Sequence, residues 1–301
     1  MKNILTIPAQ GCTLGLTLWY TAVLPSLLPF FILSGLLVRT GLFRRLNQIF
    51  APVLTRIFPV SYDGSYVILM GYLCGFPMGA KVISELLEKQ HISKEEGAYL
   101  LVFCNNVSPA FFVNYICVSC LGFSRIPWKL FGLFYGIPLL YGIIYGHLFY
   151  HRTCPASAIK NKKQASIHRI DLPMLDTCIM DSFSTITRIG GYIILFTILA
   201  QALRLFALPD LLSAMICAFL EISSGTHMLN ALPLSSPLKT ALVCSGASFG
   251  GLCTCAQILS VLSDTDLDLH PWITGRILLP VLTFLLALLL PVLLPALHGC
   301  W

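Results

Sequence analysis

Charged residues are scarce in this chain of 301 residues: they make up 11% of it, and only 13 residues are acidic. A soluble domain carries roughly 25% charged residues, so this composition cannot supply a water-facing surface. Five runs without Asp, Glu, Lys or Arg reach or exceed the roughly 20 residues that span a bilayer. These runs are 3–38, 97–124, 130–150, 240–263 and 277–301. We therefore predict an all-α polytopic membrane protein.

Several classes of function lack their sequence signatures. There is no nucleotide-binding glycine loop and no His-Glu-x-x-His pattern, so no enzyme, cofactor or metal site is expected. The close cysteine pairs, Cys117/Cys120 and Cys253/Cys255, lie in apolar runs without nearby histidines. We expect them to pack as small hydrophobic side chains. The net charge of +6 is spread over short loops, where it indicates topology rather than nucleic-acid binding.

Proline and glycine divide the first half of the chain into unequal pieces. A kink is expected in the first span at Pro25 and Pro29. Further on, a short uncharged piece and a short amphipathic piece surround a Gly/Pro turn at 75–79. Two half-length helices around such a turn are typical of a re-entrant hairpin. Residues 1–150 form the predicted first repeat. Its order is a span (about 10–38), a basic amphipathic interfacial helix (39–59), a hairpin (64–90), a broken span (97–124) and a span (130–150).

The second half repeats this order after a polar cytoplasmic linker over 151–172. Residues 173–301 form the predicted second repeat. Its elements are a span (about 179–203), a hairpin (210–233), a broken span (237–263) and a span (272–298). If each hairpin enters and leaves on one side, each repeat crosses three times and the two repeats are inverted. With the linker inside, twelve Lys and Arg residues face the cytoplasm against five outside, as positive-inside topology requires.

Two predicted spans contain groups that a membrane helix tolerates poorly at its centre. One contains Asn105, Asn106, Ser108 and Pro109, and the other contains the small residues of 245–251. Unpaired backbone groups in hydrocarbon cost several kcal/mol, so irregular backbone survives only beside protein or a water-filled cavity. Two such breaks, each preceded by a hairpin, predict a secondary transporter built from inverted repeats. Close helix packing is the alternative explanation for 245–251.

Ionisable residues near the hairpin tips are further candidates. Glu221 is predicted to couple an ion or proton, with a solvated interfacial position as the alternative. Lys81 either faces the cavity as a counter-charge to the substrate or begins an exposed face with Glu85. The full set of predicted substrate-binding residues is Asn105, Asn106, Ser108, Gly75, Pro77, Gly79, Lys81, Ser223, Ser224, Gly225, Ser245, Ser248, Gly250 and Gly251.

The segment GFPMGAK at 75–81, followed by the pair Asn105-Asn106, resembles bacterial sporulation integral membrane proteins with a nucleoside-recognition or Gate domain. The segment EISSG at 221–225 and the later Gly250-Gly251 are similar to their second half. The resemblance implies a fold like that of concentrative nucleoside transporters and a role in endospore formation. In nucleoside transporters the first tip carries an acidic residue. Phe76-Pro77-Met78 stands here instead, which favours an anion over a nucleoside with sodium.

These observations predict a multi-pass transporter in a bacterial cell membrane, such as a forespore membrane. It would move a small anionic solute, such as a dipicolinate-like dicarboxylate, by alternating access. A nucleoside is the alternative substrate, and a non-transporting scaffold or assembly factor of spore formation is the alternative function. The expected partners are the solute and the lipid bilayer, with a homo-oligomer left open. A transporter requires a polar cavity at the breaks, whereas a scaffold requires exposed partner surfaces.

Overall fold

The computed structural model describes residues 6–150, 169–206 and 208–293, and all regular secondary structure in these ranges is helical. The helices are α1 Thr6–Leu18, α2 Leu24–Thr40, α3 Phe43–Asn47, α4 Ala51–Ile57, α5 Gly64–Cys74, α6 Met78–Glu88, α7 Lys94–Phe103, α8 Pro109–Phe111, α9 Trp128–Tyr145, α10 Leu172–Ala202, α11 Asp210–Leu220, α12 Ile222–Ala231, α13 Ser236–Phe249, α14 Gly251–Val261 and α15 His270–Leu293. Most of the predicted linker and the end of the predicted last span lie outside the described residues.

Four described helical stretches are long and apolar enough to cross a membrane. They are Trp128–Tyr150, Leu172–Ala202, Ser236–Val261 and His270–Leu289. Their outward faces carry large apolar side chains that water would not favour, such as Leu140, which is 60% exposed. The prediction of a helical protein with several membrane spans is confirmed. The chain begins α10 at Leu172, earlier than the predicted start near 179.

The first span is helical from Thr6 to Thr40 but changes its hydrogen-bond pattern within this range. A π-helical turn, Trp19–Val23, connects α1 to α2 directly before Pro25, the residue at which a kink is predicted. On α1, Gly11 lies so close to α10 that a Cβ there would meet the Ile198 Cα at 2.7 Å. Small residues thus let α1 pack against the backbone of α10.

Two pairs of short helices lie where the hairpins are predicted. Helices α5 and α6 pack against each other and are joined at Gly75–Pro77, and α11 and α12 are joined at Glu221. The first three of these helices have 11 residues each. At 1.5 Å per residue an 11-residue helix is about 16 Å long, roughly half the thickness of the hydrocarbon core. Each pair therefore has the dimensions that a hairpin within the membrane requires.

The two breaks differ in width. Residues 104–108 separate α7 from α8, whereas only Gly250 separates α13 from α14. Gly250 and Gly251 have φ angles of 80° and 81°, so two glycines in the left-handed region redirect the chain. The first break needs a longer loop because Pro109 provides no backbone donor and Ser108 must cap the next helix. The second break is thus narrower than the predicted 245–251 segment.

The prediction of one continuous interfacial helix over 39–59 is wrong. The chain turns at Gly41, where φ is 75°, and the rest of the stretch forms two short helices, α3 and α4. Apolar side chains are exposed in the turn between these helices, where Ile49 is 74% exposed, and in α4, where Val53 is 60% exposed. Such exposed apolar side chains suit contact with lipid at the membrane surface.

An ionic cluster fixes α3 to the start of α5. Asp63 accepts a hydrogen bond of 2.8 Å from Arg44 Nε, and its second oxygen contacts both Arg44 Nη2 and His91 Nδ1, the latter at 2.9 Å. Burial raises the pKa of the Asp63 carboxyl, but the hydrogen bonds from His91 and Arg44 outweigh it, so the net pKa lies below 3.8. The carboxylate therefore stabilises the fold wherever it is ionised.

Replacing Asp63 with asparagine is expected to lower the free energy of unfolding by about 1–2 kcal/mol at neutral pH, because the amide keeps only part of the ionic contacts. A lowered pKa contributes stability above the unfolded value, and this contribution is lost as the pH falls through the folded value. The difference between variant and wild type should thus shrink below about pH 4. Thermal unfolding of the purified protein across pH measures it. A constant difference at all pH values would contradict the ionic role of Asp63.

Candidate functional site

A cavity of about 490 Å³ lies where the helix tips and breaks come together. We call it the central cavity. Its walls come from helices α1, α2, α10 and α14, from the first tip (75–77) and the first break (104–108), and from the second tip at Glu221. The wall is mostly apolar and includes the rings of Phe30, Phe76 and Phe111. Its polar residues are Ser108, Asn114, Tyr115, Glu221, Ser223, Thr254 and Gln257. Among the described residues, no lysine or arginine lines the central cavity.

The first tip and the first break form one packed unit. Phe76 N donates a 2.8 Å hydrogen bond to the Asn106 carbonyl. Gly75 has a φ of 77°, and a Cβ on it would lie 2.8 Å from the Ser108 Cα. Only glycine combines that backbone conformation with such a close approach. The sequence Gly75-Phe76-Pro77 thus serves to dock the tip against the break.

Replacing Gly75 with alanine is expected to lower the free energy of unfolding by about 2 kcal/mol, since it adds both backbone strain and a clash. Gly191→Ala is the matched control, because Gly191 lies in α10 and a Cβ there meets nothing within 4 Å. That control should be neutral or slightly stabilising. Comparing thermal unfolding of the two variants tests the docking role, and equal effects would argue against it.

The two adjacent asparagines cap helix ends in this structure. Asn105 Oδ1 accepts a 3.0 Å hydrogen bond from Ala80 N in the first turn of α6, and Asn106 Nδ2 donates to the Phe103 carbonyl at 2.8 Å. Both side chains are buried, and neither lines the central cavity. Asn105 Nδ2 is buried and has no hydrogen-bond partner within the described ranges. Their role in binding a substrate remains a prediction.

Ser108 lies at the cavity wall, unlike the asparagines. Its Oγ accepts a 3.2 Å hydrogen bond from Phe111 N, which caps the N-terminus of α8. Pro77 directly precedes α6, and Gly79 packs against the Asn105 amide and the Cys104 carbonyl. Of the residues predicted in the first half, the structure thus brings Ser108 to the central cavity, whereas Gly75, Gly79 and the two asparagines hold the first tip and the first break together.

Glu221 forms the second tip. Its two carboxylate oxygens accept hydrogen bonds from Ser223 N at 2.8 Å and Ser224 N at 2.7 Å, so it caps its own helix α12. It is 3% exposed and lines the central cavity. Its burial argues against the solvated alternative. Gly225 packs against the Ala218 backbone, and this contact brings α11 and α12 together.

The second break faces the first tip. A Cβ on Gly250 would lie 3.0 Å from the Phe76 ring, and one on Gly251 would lie 3.0 Å from the Leu220 carbonyl oxygen. The neighbouring serines point to α15 instead. Ser245 Oγ donates to the Pro280 carbonyl at 3.0 Å, and Ser248 Oγ accepts from Thr283 Oγ1 at 3.3 Å. For these two serines the structure therefore favours helix packing.

Lys81 lies outside the central cavity. Its Nζ is 3.7 Å from Glu85 Oε1, and its side chain lines a second cavity of about 330 Å³, which we call the polar cleft. Other charged residues of the polar cleft are Arg39, Glu88, Asp181, Arg188 and Asp264. Arg39 pairs with Asp181 at 2.6 Å. The polar cleft thus gathers stretches that the positive-inside rule places on the cytoplasmic side.

Three cavities follow one another along α10. The polar cleft contacts Asp181 to Tyr192, the central cavity contacts Ile193, and a cavity of about 250 Å³, the far cleft, contacts Thr197 to Gln201. At 1.5 Å per residue, the distance from residue 181 to residue 201 is about 30 Å. The order of the cavities therefore runs along a length close to that of the hydrocarbon core.

The central cavity shares lining residues with both clefts. Gln257 lines both the central cavity and the polar cleft. On the other side, Tyr115 and Ser223 line both the central cavity and the far cleft, and Tyr115 Oη donates a 2.6 Å hydrogen bond to the Ser223 carbonyl. The central cavity therefore adjoins the polar cleft at Gln257 and the far cleft at Tyr115 and Ser223.

Arg276 is the residue of this region that the sequence analysis did not find. It lies on α15, is 6% exposed, and donates hydrogen bonds to the carbonyls of Asn105 at 2.8 Å, Ser248 at 3.2 Å and Phe249 at 3.3 Å. Its guanidinium lies over the Phe76 ring at 4.6 Å. The available signal was a single cation inside an otherwise apolar span. Arg276 joins both breaks and the first tip.

Comparison with known proteins finds a family match within the first half of the chain. Residues 20–124 match the family described as "Gate: Nucleoside recognition". The chain is also 29% identical over 309 residues to "Sporulation integral membrane protein YlbJ" of Bacillus subtilis (strain 168), a match that covers 92% of this chain and 76% of that protein. The resemblance to sporulation membrane proteins with a Gate domain is confirmed. No solved structure matches the chain.

The Gate region, residues 20–124, contains the first tip and the first break but neither of their counterparts. Glu221, Gly250 and Arg276 all lie outside it. The central cavity therefore combines residues of the Gate region with residues of the second half. Within the described ranges, no group of three or more His, Cys, Asp or Glu side chains could hold a metal ion.

Proposed function

We propose that this protein is a membrane transporter that moves a small solute through the central cavity by alternating access. The observation that carries the proposal is the order of the three cavities along α10. A solute that passed from the polar cleft to the far cleft would cross about 30 Å and pass Gln257 and then Tyr115 and Ser223, the residues that adjoining cavities share. Alternating access requires such a central site with one closure on each side.

The architecture proposed for this cycle is that of two inverted repeats. The helix pairs α5–α6 and α11–α12 would be re-entrant hairpins, and the breaks at 104–108 and at Gly250 would interrupt two spans at similar depth. In support, each tip packs on the break of its own half: Gly75 on Ser108, and Leu220 on Gly251. This recurrence of tip-to-break packing is what a repeat built twice from one plan would produce.

The cavity wall limits the class of solute. It carries three phenylalanine rings, one carboxylate, amides and hydroxyls, and no described lysine or arginine. A flat aromatic solute suits the rings. A free dianion would lie beside Glu221 at a cost, so we propose that a dipicolinate-like acid enters together with a proton carried by Glu221. A nucleoside is the second candidate, since the amides and hydroxyls suit a neutral solute and the Gate family is described by nucleoside recognition.

The cellular setting proposed is a membrane of the developing spore, such as the forespore membrane. The support is the 29% identity to a protein named for sporulation. In this setting the solute would be one that accumulates in, or leaves, the spore compartment.

Uptake by proteoliposomes tests the proposal. Labelled dipicolinate and a labelled nucleoside are offered to wild type, to Ala110→Trp, which fills the cavity wall, and to Ile144→Trp, which alters an exposed position of α9. We expect one solute to be taken up, most of that uptake to be lost in Ala110→Trp, and Ile144→Trp to retain it. A scaffold would show no uptake of either solute and would tolerate both substitutions.

A further inference from the structure

Arg276 is a buried charge held without an acid. Its guanidinium donates to three backbone carbonyls, those of Asn105, Ser248 and Phe249. Among the described ion pairs, no carboxylate lies against it. Burying an unpaired charge is costly, so these carbonyls and the neighbouring rings must supply the compensation.

The three carbonyls belong to the C-terminal ends of two half-helices. Asn105 follows the end of α7 at Phe103, and Ser248 and Phe249 form the last turn of α13. The C-terminal end of a helix carries about half a negative elementary charge, so two such ends directed at one point attract a cation. The faces of Phe76 at 4.6 Å and Trp272 at 5.7 Å add further attraction for a cation.

Carbonyls at unwound helix ends are the ligands with which transporters bind Na⁺ or protons near the bilayer midplane. We propose that Arg276 is a built-in cation that occupies this carbonyl site permanently, so that transport uses no Na⁺ or K⁺ there. The statement about transport rests on the function proposed above, whereas the statement about the carbonyl site does not.

The position of Arg276 gives the central cavity a fixed positive neighbour. Phe76 lies between them: one face of its ring contacts the guanidinium, and its side chain also lines the cavity. Arg276 therefore places a positive charge behind one part of the wall of the central cavity, and the same wall carries Glu221. An acidic solute in the central cavity would then have this charge as its neighbour and would need no metal cation as its companion.

Thermal unfolding of the purified full chain in detergent tests the carbonyl site. The melting temperature of wild type should be the same in NaCl, KCl and choline chloride of equal ionic strength. Arg276→Ala should melt several degrees lower, and guanidinium at tens of millimolar, far below denaturing levels, should restore part of that loss by binding to the vacated carbonyls. Choline should restore none of it.

Leu279→Ala is the matched control, because Leu279 is a buried apolar residue of the same helix. It should also melt lower, and guanidinium should not restore it. The proposal is overturned if Na⁺ stabilises wild type over choline, or if guanidinium restores neither variant or both equally.

Arg276→Lys serves if the alanine variant does not fold. Lysine keeps the charge but cannot reach three carbonyls in a fixed fork. We expect a lower melting temperature than wild type that is still equal in Na⁺ and choline, and a lysine variant as stable as wild type would overturn the proposal. These readouts need no solute, so failure of uptake would reject the transport function and leave the carbonyl site standing.

Discussion

Glu221→Gln is expected to lower the initial rate of uptake by about tenfold or more and to remove its stimulation by a proton gradient. The carboxylate caps α12 through two hydrogen bonds and lines the central cavity, so it is both a structural and a chemical group. Glutamine keeps one acceptor oxygen and cannot exchange a proton. A rise of about 1.4 kcal/mol in the barrier of the transport step corresponds to a tenfold lower rate.

The fold should survive this substitution. Loss of part of an N-cap costs about 1 kcal/mol, which a small shift in melting temperature would report. Uptake is measured in proteoliposomes with and without a proton gradient for wild type, Glu221→Gln and Asp266→Asn. Asp266 is a suitable control because its side chain is 89% exposed and, among the described ion pairs, contacts Lys94 alone, at 3.4 Å. A glutamine variant that kept both the rate and the stimulation by the gradient would remove Glu221 from the mechanism.

Asn105→Ala is expected to lower the free energy of unfolding by about 2–4 kcal/mol. The substitution leaves the buried Ala80 N–H unpaired, which costs about 1–3 kcal/mol, and it opens a small cavity beside Gly79. Because Asn105 also presents its carbonyl to Arg276, disorder at this residue would loosen the connection between the two breaks. Uptake should fall along with stability.

Asn114→Ala is the control for this prediction. Asn114 has the same side chain but lies exposed in the helical continuation of α8, and its stability effect should be within about 0.5 kcal/mol. Thermal unfolding of both variants separates a structural role of Asn105 from a general effect of asparagine loss. If both variants were equally stable, the cap on α6 would contribute little.

The positions of the tips and breaks follow from local sequence. Gly75 and Pro77 cannot continue a helix, and Gly250-Gly251 allow left-handed backbone, so the ends of the flanking helices could be predicted within a few residues. The half-length of α5 and α6 followed from the charges that begin at Lys81. These features depend on neighbours in the chain.

The direction of the side chains could not be predicted in the same way. Amides in the middle of an apolar run indicate either a ligand or a helix end, and tertiary packing decides which. Asn105 bonds to Ala80 across 25 residues, and Arg276 reaches Asn105 across 171. The apolar pattern of α15 contains no information about which carbonyls its single cation would meet. The prediction of one continuous interfacial helix was wrong for a related reason. Gly41 could turn the chain, but no local feature of the sequence specified where α3 would end.

The position of the central cavity between the two clefts has an electrical consequence. Water in the polar cleft and the far cleft would carry the potential of each bulk phase inward, so most of the transmembrane voltage would fall across the short dielectric between them. One elementary charge crossing 100 mV exchanges about 2.3 kcal/mol with the field. A net charge moving past Gln257 or past Tyr115 would therefore cross a steep gradient of electrical potential. Its rate of transport would then depend on the membrane potential.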